Sequence, residues 1–185
     1  MSEYRVAYRY AKSLLELAEE KGILEAVHQD MQLFASVAKE NRDFVLLLKN
    51  PIIPGDKKLS VLEAVFGGKV NELTQEFYKI IVRKGREGYL LAISKEFHLQ
   101  YNAYKGIAGA KVITTFALND ELRKQFTDIV KEISGKEVEL EEMVDEDLLG
   151  GFVLRIGDRQ VDESVSTKLL RLKKEFSYNP YVKEI

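Results

Sequence analysis

The amino-acid sequence predicts an α+β fold in which an N-terminal six-helix bundle is followed by a small α/β domain. Apolar residues recur at helical spacing throughout residues 4–105, which is typical of amphipathic helices. After that point two segments alternate apolar and polar residues, as strands do. We therefore expect two domains, at residues 1–105 and 106–185, with a hinge at Gly106–Gly109.

Six helical segments are predicted in the first domain. They cover residues 4–21, 24–38, 44–48, 56–66, 71–81 and 90–104. Gly22 suits the end of the first helix, because glycine readily adopts the left-handed backbone of a C-terminal cap. Pro51 and Pro54 cannot continue a helix, so they separate the third helix from the fourth. We expect Asp56 and Asn71 to cap the fourth and fifth helices, since their side chains can accept hydrogen bonds from free helix amides.

The second domain is predicted to contain a strand, a helix, a second strand, a hairpin and a final helix. In chain order these elements cover residues 110–116, 122–133, 136–144, 152–161 and 165–176. Either Asn119 or Asp120 can cap the first of these helices, and Asp162 can cap the final one. The final helix carries apolar residues at helical spacing, namely Val165, Leu169, Leu172 and Phe176.

The segment "GGFVLRIGDRQVD", residues 150–162, predicts a tight β-hairpin. Gly157 followed by Asp158 fits a two-residue type II′ turn, which sets the register of the two flanking strands. Gly150 and Gly151 supply a bend into the first strand. A phosphate-binding loop needs glycines that lead into a helix, whereas these glycines lead into a strand. We therefore assign these four residues a structural role.

The composition argues against several classes of protein. The formal net charge is -2 and neither predicted domain has the basic excess expected of a nucleic-acid binder, which disfavours nucleic-acid binding. The chain has no cysteine, which excludes disulfides and thiolate metal sites. Apolar stretches such as Phe44–Leu48 are too short to span a membrane, and no apolar signal segment precedes the first helix. We expect a cytosolic chain that does not insert into a membrane.

No familiar catalytic or metal-binding motif is present. His28 and His98 lie on predicted helices without a cysteine or another histidine nearby in the sequence. Asp145 and Asp147 belong to an acidic stretch that lacks the ligand spacing and the turn glycine of a calcium loop. We therefore expect no catalytic residue, no cofactor and no metal.

The first helix has a broader apolar face than one neighbouring helix requires. Its polar residues fall within an arc of about 100°, while its apolar residues cover about 200°, roughly twice the width that one neighbour needs. One interpretation is that this helix is buried at the centre of the bundle. In the other, one flank completes the core and a second flank binds a partner helix. The small Ala7 and Ala11, beside Tyr10 and Leu14, would let that helix approach closely.

Four segments, taken together and in order, resemble the delta subunit of bacterial ATP synthases, whose mitochondrial relative is the oligomycin-sensitivity-conferring protein. They are "YRYAKSLLELAEEKG", "LLKNPIIPGDKK", "RKGREGYLLAISKEF" and "DLLGGFVLRIGDRQVDESVSTKLLRL". The resemblance covers nearly the whole chain, and the last segment is the most specific. It implies a non-catalytic stator subunit, peripheral to the cytoplasmic face of the cell membrane, that joins the catalytic head to the peripheral stalk.

The resemblance also implies a partner for each domain. The first domain is expected to bind N-terminal segments of the alpha subunits in a groove between the first and fifth helices. By position, this groove would be lined by Ala7, Tyr10, Ala11, Leu14, Phe77, Ile80 and Ile81. The second domain is expected to contact the C-terminal ends of the stalk b subunits.

Two other functions stay open at this point. One is a helical adaptor that belongs to a different complex. The other is an enzyme that acts on phosphate esters through Arg155, Asp158 and Arg159, all of which lie in the predicted hairpin.

Overall fold

The computed structural model describes residues 3–177, and within them the mixed α+β class is confirmed. The elements are α1 (Glu3–Glu20), α2 (Leu24–Glu40), α3 (Arg42–Lys49), α4 (Gly55–Phe66), α5 (Glu72–Arg83), α6 (Leu90–Lys105), β1 (Ile107–Thr114), α7 (Asp120–Ser134), β2 (Glu137–Val144), β3 (Phe152–Ile156), β4 (Arg159–Asp162) and α8 (Val165–Ser177). Two short 3-10 turns lie at Glu87–Tyr89 and Glu146–Leu148. Internal contacts divide the chain between Tyr104 and Lys105 into an N-terminal and a C-terminal unit.

All six helices, α1 to α6, contribute buried side chains to the core of the N-terminal unit. Its largest fully buried members are Val6, Val27, Met31, Phe34, Leu62, Phe66, Ile81, Leu90, Ile93 and Phe97. Four aromatic rings, from Phe34, Phe44, Phe66 and Tyr78, form a cluster with centroids 5.4 to 6.1 Å apart. Because these rings come from α2, α3, α4 and α5, the cluster ties together helices that are distant in the sequence.

Two buried charges fix the connections between helices in the N-terminal unit. Asp30 on α2 accepts hydrogen bonds from the Asn71 amide (2.8 Å) and the Thr74 hydroxyl (2.6 Å), so its carboxylate lies at the N-terminus of α5. A helix N-terminus favours negative charge. Lys58 on α4 donates to the Leu48 carbonyl (2.9 Å) and to Glu87 Oε1 (2.7 Å). Each charge has a partner, as buried charges require.

The helix ends in the N-terminal unit follow the predicted signals with one exception. Gly22 has φ of +68° and ends α1, and the Asn71 side chain accepts a hydrogen bond from the Leu73 amide at 3.0 Å. The prediction that Asp56 caps α4 is wrong, because α4 begins at Gly55 after Pro54. The extended backbone of Pro54, at φ -64° and ψ 148°, occupies the capping position and leaves Asp56 in the first turn.

The C-terminal unit contains a four-stranded sheet in the order β2-β1-β3-β4. Strands β1 and β2 are parallel and are connected through α7, while β3 pairs antiparallel with both β1 and β4. One sheet face packs against α7. The rings of Phe126 and Phe152 meet edge to face there, with centroids 4.9 Å apart. The buried members of this core are Ala110, Val112, Leu118, Phe126, Val130 and Leu154.

The predicted hinge and first strand need correction. Only Gly106 has the left-handed backbone of a turn, with φ of +70°, because Ile107–Gly109 already belongs to β1. These three residues pair in parallel with Glu137–Glu139 of β2. The strand also ends at Thr114, so Phe116 lies outside it and is exposed. Pairing with a distant segment therefore extended β1 toward its start.

The hairpin between β3 and β4 forms in the predicted register. Ile156 lies opposite Arg159, and Gly157 has φ of +54°, as the first position of a type II′ turn requires. Gly150 and Gly151 form the predicted bend, with φ of +145° and +80°. A Cβ atom on Gly151 would lie 2.3 Å from a backbone carbonyl oxygen, so only glycine fits there.

The start of α8 is anchored by a short polar network. Ser164 rather than the predicted Asp162 caps the helix, since its hydroxyl oxygen accepts a hydrogen bond from the Thr167 amide at 3.2 Å. Asp162 lies two residues earlier and accepts hydrogen bonds from the Ser164 amide (3.0 Å) and the Thr167 hydroxyl (2.9 Å). These hydrogen bonds, the Ser164 amide first, hold the pKa of Asp162 below its ordinary value.

We predict that Gly157→Val destabilises the hairpin whereas Arg155→Gln does not. Valine held at a positive φ destabilises the folded hairpin by about 1–3 kcal/mol. Arg155 is exposed, and within this hairpin its side chain is hydrogen-bonded to Gln160 alone. Hydrogen exchange of the β3 amides in the full chain measures the effect. Gly157→Val should speed exchange by about tenfold or more, which corresponds to about 1.4 kcal/mol. Equal protection in Gly157→Val and the unmodified chain would contradict the assigned turn.

Candidate partner-binding site

Helix α1 lies between α5 and α6 in the N-terminal unit. Tyr10 and Phe77 meet edge to face with ring centroids 6.5 Å apart, which places α5 along one flank of α1. On the other flank the Gln100 side chain donates to the Tyr8 carbonyl at 3.2 Å. The Tyr104 hydroxyl also donates to Glu19 at 2.8 Å, which brings α6 alongside α1. The first and fifth helices are thus neighbours, as the predicted groove requires.

Most of the residues predicted to line that groove are inaccessible from the surface. Five of the seven are buried in the unit, namely Ala7, Ala11, Leu14, Phe77 and Ile81. The small side chains of Ala7 and Ala11 therefore face the interior, where they allow α1 to pack closely within its own unit. They do not offer a surface on which a partner helix could rest. Tyr10 is half-buried and Ile80 is 46% exposed, so only these two are within reach of a partner.

The accessible apolar surface between α1 and α5 consists of two residues on each helix, with the same spacing along both helices. Tyr10 and Leu17 are seven residues apart on α1, and Leu73 and Ile80 are seven residues apart on α5, so each pair lies on one helix face. Leu17 is 39% exposed, and Leu73 is half-buried. We call these four residues the α1–α5 rim. The sequence placed all four on apolar faces but could not show which flank of α1 meets α5.

The surface beside the rim at the start of α5 carries charges of both signs. A concavity there is lined by Lys21, Ile23, Asn71, Glu72, Leu73 and Glu76. Glu76 forms an ion pair with Lys79 at 2.7 Å, and the hydrogen bond from Lys79 lowers the pKa of Glu76. The rim therefore suits the apolar stripe of an amphipathic helix, and the balanced charges beside it select no particular charge on that helix.

The wide apolar arc of α1 is divided into three parts. Its central stripe is buried, one flank contributes Tyr10 and Leu17 to the rim, and the other flank exposes Tyr4 and Tyr8. The rings of Tyr4 and Tyr8 are 6.2 Å apart, and with Arg5 and Arg9 they line a second shallow concavity. The buried stripe agrees with the first interpretation, and the two exposed flanks provide the apolar surface that the second requires, so that binding of a partner helix stays a prediction.

The hairpin residues do not converge on a site for a phosphate ester. Arg155 donates from Nε to the Gln160 side chain at 2.8 Å on the exposed face of the hairpin. Asp158 and Arg159 are exposed at or beside the turn. Nothing in this geometry encloses a substrate, so the arrangement explains a turn and not a catalytic centre.

The two histidines are hydrogen-bonded to each other. His28 Nε2 and His98 Nδ1 are 3.0 Å apart, and their rings stack with centroids 5.3 Å apart. Asp145 accepts a hydrogen bond from the Asp147 amide at 3.1 Å, which caps a 3-10 turn. Among residues 3–177 no group of three or more histidine or acidic side chains is arranged to hold a metal ion.

Comparison with known proteins gives one consistent result. The family model for the ATP synthase delta (OSCP) subunit matches residues 6–176. ATP synthase subunit delta of Cytophaga hutchinsonii is 46% identical over 177 residues, which cover 96% of this chain and 97% of that protein. The corresponding subunit of Amoebophilus asiaticus is 41% identical over 181 residues, with 97% and 98% covered.

A solved structure has the same fold. A chain in the cryo-EM structure of the Toxoplasma gondii mitochondrial ATP synthase hexamer matches with a TM-score of 0.74 at 22% identity, covering 94% of this chain and 98% of that chain. Within the described residues, none of the helices has the length and apolar character needed to cross a membrane.

We predict that aspartate lowers the free energy of unfolding strongly at the buried Ala11 and only weakly at Ile80 in the α1–α5 rim. Ala11→Asp places a carboxylate in the core, which should cost about 3 kcal/mol or more in the free energy of unfolding. Ile80→Asp should cost about 1 kcal/mol or less, because that side chain is already half in water. Chemical denaturation of the N-terminal unit within the full chain tests this. Similar losses for both variants would show that Ile80 is part of the core.

Proposed function

This chain belongs to the ATP synthase delta (OSCP) subunit family, and on that basis we propose that it joins the catalytic head of the enzyme to the peripheral stalk. It is a structural, non-catalytic stator subunit that serves ATP synthesis. The observation that carries the proposal is the family match over residues 6–176, which spans both units of the structure. A subunit that links two parts of a complex needs a binding surface for each.

The N-terminal unit is proposed as the head-binding part, a six-helix domain at residues 1–105. Its α1–α5 rim would receive an N-terminal helical segment of an alpha subunit. The exposure of Leu17 and Ile80 supports this, because apolar side chains in adjacent rows on two helices are what an amphipathic helix packs against. Of the seven residues first placed in the groove, Tyr10 and Ile80 would contact the segment directly, and the buried five would support the helices beneath it.

The expected strength of this contact suits a passive joint. Docking one amphipathic helix could bury about 500 Å² of apolar surface, or about 12 kcal/mol gross at 25 cal/mol per Å². Association removes several kcal/mol of this, which leaves room for an affinity near the nanomolar range. A link that must persist through many turnovers needs slow dissociation and no catalytic residue.

The C-terminal unit is proposed as the stalk-binding part, at residues 106–185. It would contact the C-terminal ends of the b subunits, so that the head is held still while the rotor turns. The assembled chain would lie at the cytoplasmic face of the cell membrane as a peripheral subunit. A helical adaptor of another complex would not need these partners, so head binding separates the two functions.

We predict that the rim controls binding of a peptide copied from the N-terminus of the alpha subunit of the same ATP synthase. Leu17→Asp and Ile80→Asp should each weaken binding at least tenfold, because each places a carboxylate in the apolar contact. Leu46→Asp is the matched control, since Leu46 is an exposed leucine on α3 outside the rim. Calorimetric titration of the folded full-length variants makes the measurement. If the rim variants bind as tightly as the control, the rim is not the site.

We further predict a division of labour between the two units. A fragment of residues 1–105 should fold, bind the head and fail to couple it to the stalk, because the proposed stalk contact lies in the missing part. Membranes reconstituted with this fragment should hydrolyse ATP but pump protons poorly, as followed by quenching of a pH-sensitive dye. Full-length protein is the positive control. Normal pumping with a folded fragment would refute the division.

A further inference from the structure

Strand β2 lies at one edge of the sheet in the C-terminal unit and has a long row of backbone groups on its outer side. The sheet order is β2-β1-β3-β4, so within the described residues β2 pairs with β1 alone. It runs for eight residues, Glu137–Val144, and none of them is buried. The strand at the opposite edge, β4, has only four residues. A long edge strand is a template on which another extended chain can pair.

The register with β1 shows which backbone groups of β2 face outward. Just beyond the strand, the Asp145 amide donates to the Thr114 carbonyl at 2.8 Å, which continues the parallel ladder. Because the direction of the backbone groups alternates along a strand, the odd-numbered residues of β2 bond to β1. The even-numbered residues direct their amides and carbonyls away from the sheet, and they are Val138, Leu140, Glu142 and Val144. The pairing with β1 has no bulge, so this outer edge is regular over its whole length.

The two faces of β2 differ in chemistry. Val138 and Leu140 are half-buried and pack against the core that includes side chains of α7. The opposite face carries a row of glutamates about 7 Å apart, namely Glu137, Glu139 and Glu141. Lys111 of β1 pairs with Glu141 at 3.3 Å, yet the Glu141 side chain stays 70% exposed. The edge is therefore acidic on one face and apolar on the other.

The charges of β2 select the kind of strand that can pair with it. From Glu137 to Asp147 the sequence has seven acidic residues and no basic one. A second copy of β2 would set its own glutamates against this row, and like charges directly opposite each other destabilise a sheet. Charges on an edge strand are a known protection against pairing of identical edges. The same charges attract a basic strand, and β2 has no proline and no bulge that would exclude one.

We propose that β2 accepts an extended basic segment of a partner protein as a fifth strand of the sheet. The segment carries lysine or arginine at alternate positions, on the face where the glutamate row of β2 lies. Apolar residues at the positions between them extend the surface of Val138 and Leu140. The backbone of the segment pairs with the outward amides and carbonyls of the even-numbered residues of β2. This contact is additional to those of the proposed function and does not depend on it.

Four designed peptides test the proposal with the full-length chain. One alternates lysine and valine, and its acidic twin has glutamate in place of lysine. The other two are basic peptides with N-methyl groups on the valine amides or on the lysine amides, so that they match in charge. The basic peptide should bind at least tenfold more tightly than the acidic one, and its affinity should fall as salt rises.

The methylated peptides separate strand pairing from attraction between charges. Only alternate amides of an added strand face β2, so one methylated peptide should bind at least tenfold more weakly than the other. Blocked valine amides should abolish an antiparallel pairing, and blocked lysine amides a parallel one. Equal binding of the basic and acidic peptides, or of the two methylated peptides, would overturn the proposal.

Hydrogen exchange locates the contact on β2. Saturating basic peptide should slow exchange of the Val138, Leu140 and Glu142 amides at least tenfold, because these amides face outward. The Glu139 and Glu141 amides already bond to β1 and should change much less. Binding that leaves the outward amides unprotected would overturn the proposal. Self-association of the chain alone that protects the same amides would identify a second copy as the occupant, with the same consequence.

A variant of the chain tests the role of the glutamate row. Glu137→Gln, Glu139→Gln and Glu141→Gln together should weaken binding of the basic peptide at least tenfold, since glutamine keeps the size of the side chain and removes its charge. Asp158→Asn is the matched control, because Asp158 is an exposed acid at the turn between β3 and β4. It should bind as the unmodified chain does. An equal loss in this control would show that binding follows overall charge and would overturn the proposal.

Discussion

The burial of the small side chains along the central stripe of α1 is the constraint on which the N-terminal unit and its candidate binding site both depend. Ala7, Ala11 and Ala18 present almost no side chain to the interior, so the neighbouring helices can approach the backbone of α1. With the central stripe buried, the larger apolar residues on either side are left at the surface. The α1–α5 rim is therefore a consequence of how α1 packs, and a change in the buried alanines would displace the rim together with the helix.

Rigid connections support this arrangement. The carboxylate of Asp30 fastens α2 to the start of α5, and the ammonium of Lys58 fastens α4 to the end of α3 and to Glu87. Lys58 is 3% exposed at its side chain, so removing either partner of its ion pair would leave a buried charge uncompensated. Such pairs restrict the relative movement of helices, which suits a unit proposed to hold the catalytic head against the torque of a rotor.

The two units use the same physical device, an amphipathic helix with more apolar surface than its own unit can bury. In the N-terminal unit α1 has surplus on its flanks, and in the C-terminal unit α8 leaves its whole apolar stripe uncovered. Exposed apolar rows of this kind are unfavourable in an isolated chain and become favourable only when a partner covers them. A linking subunit has reason to keep both, and the non-catalytic character of the family agrees with a molecule whose chemistry lies in its surfaces.

The sequence by itself determined the features that depend on residues close together in the chain. The α+β class came from the period of the apolar residues, the end of α1 from Gly22 and the hairpin register from Gly157, since each is decided within a few residues. Only the tertiary structure decided which residues the partners can reach. Whether Ala7 faces the core or a groove depends on which helices lie beside α1, and the start of β1 depends on pairing with β2 some thirty residues later. An apolar pattern shows that a surface must be covered, whereas the cover is supplied by distant segments, by a partner, or by both.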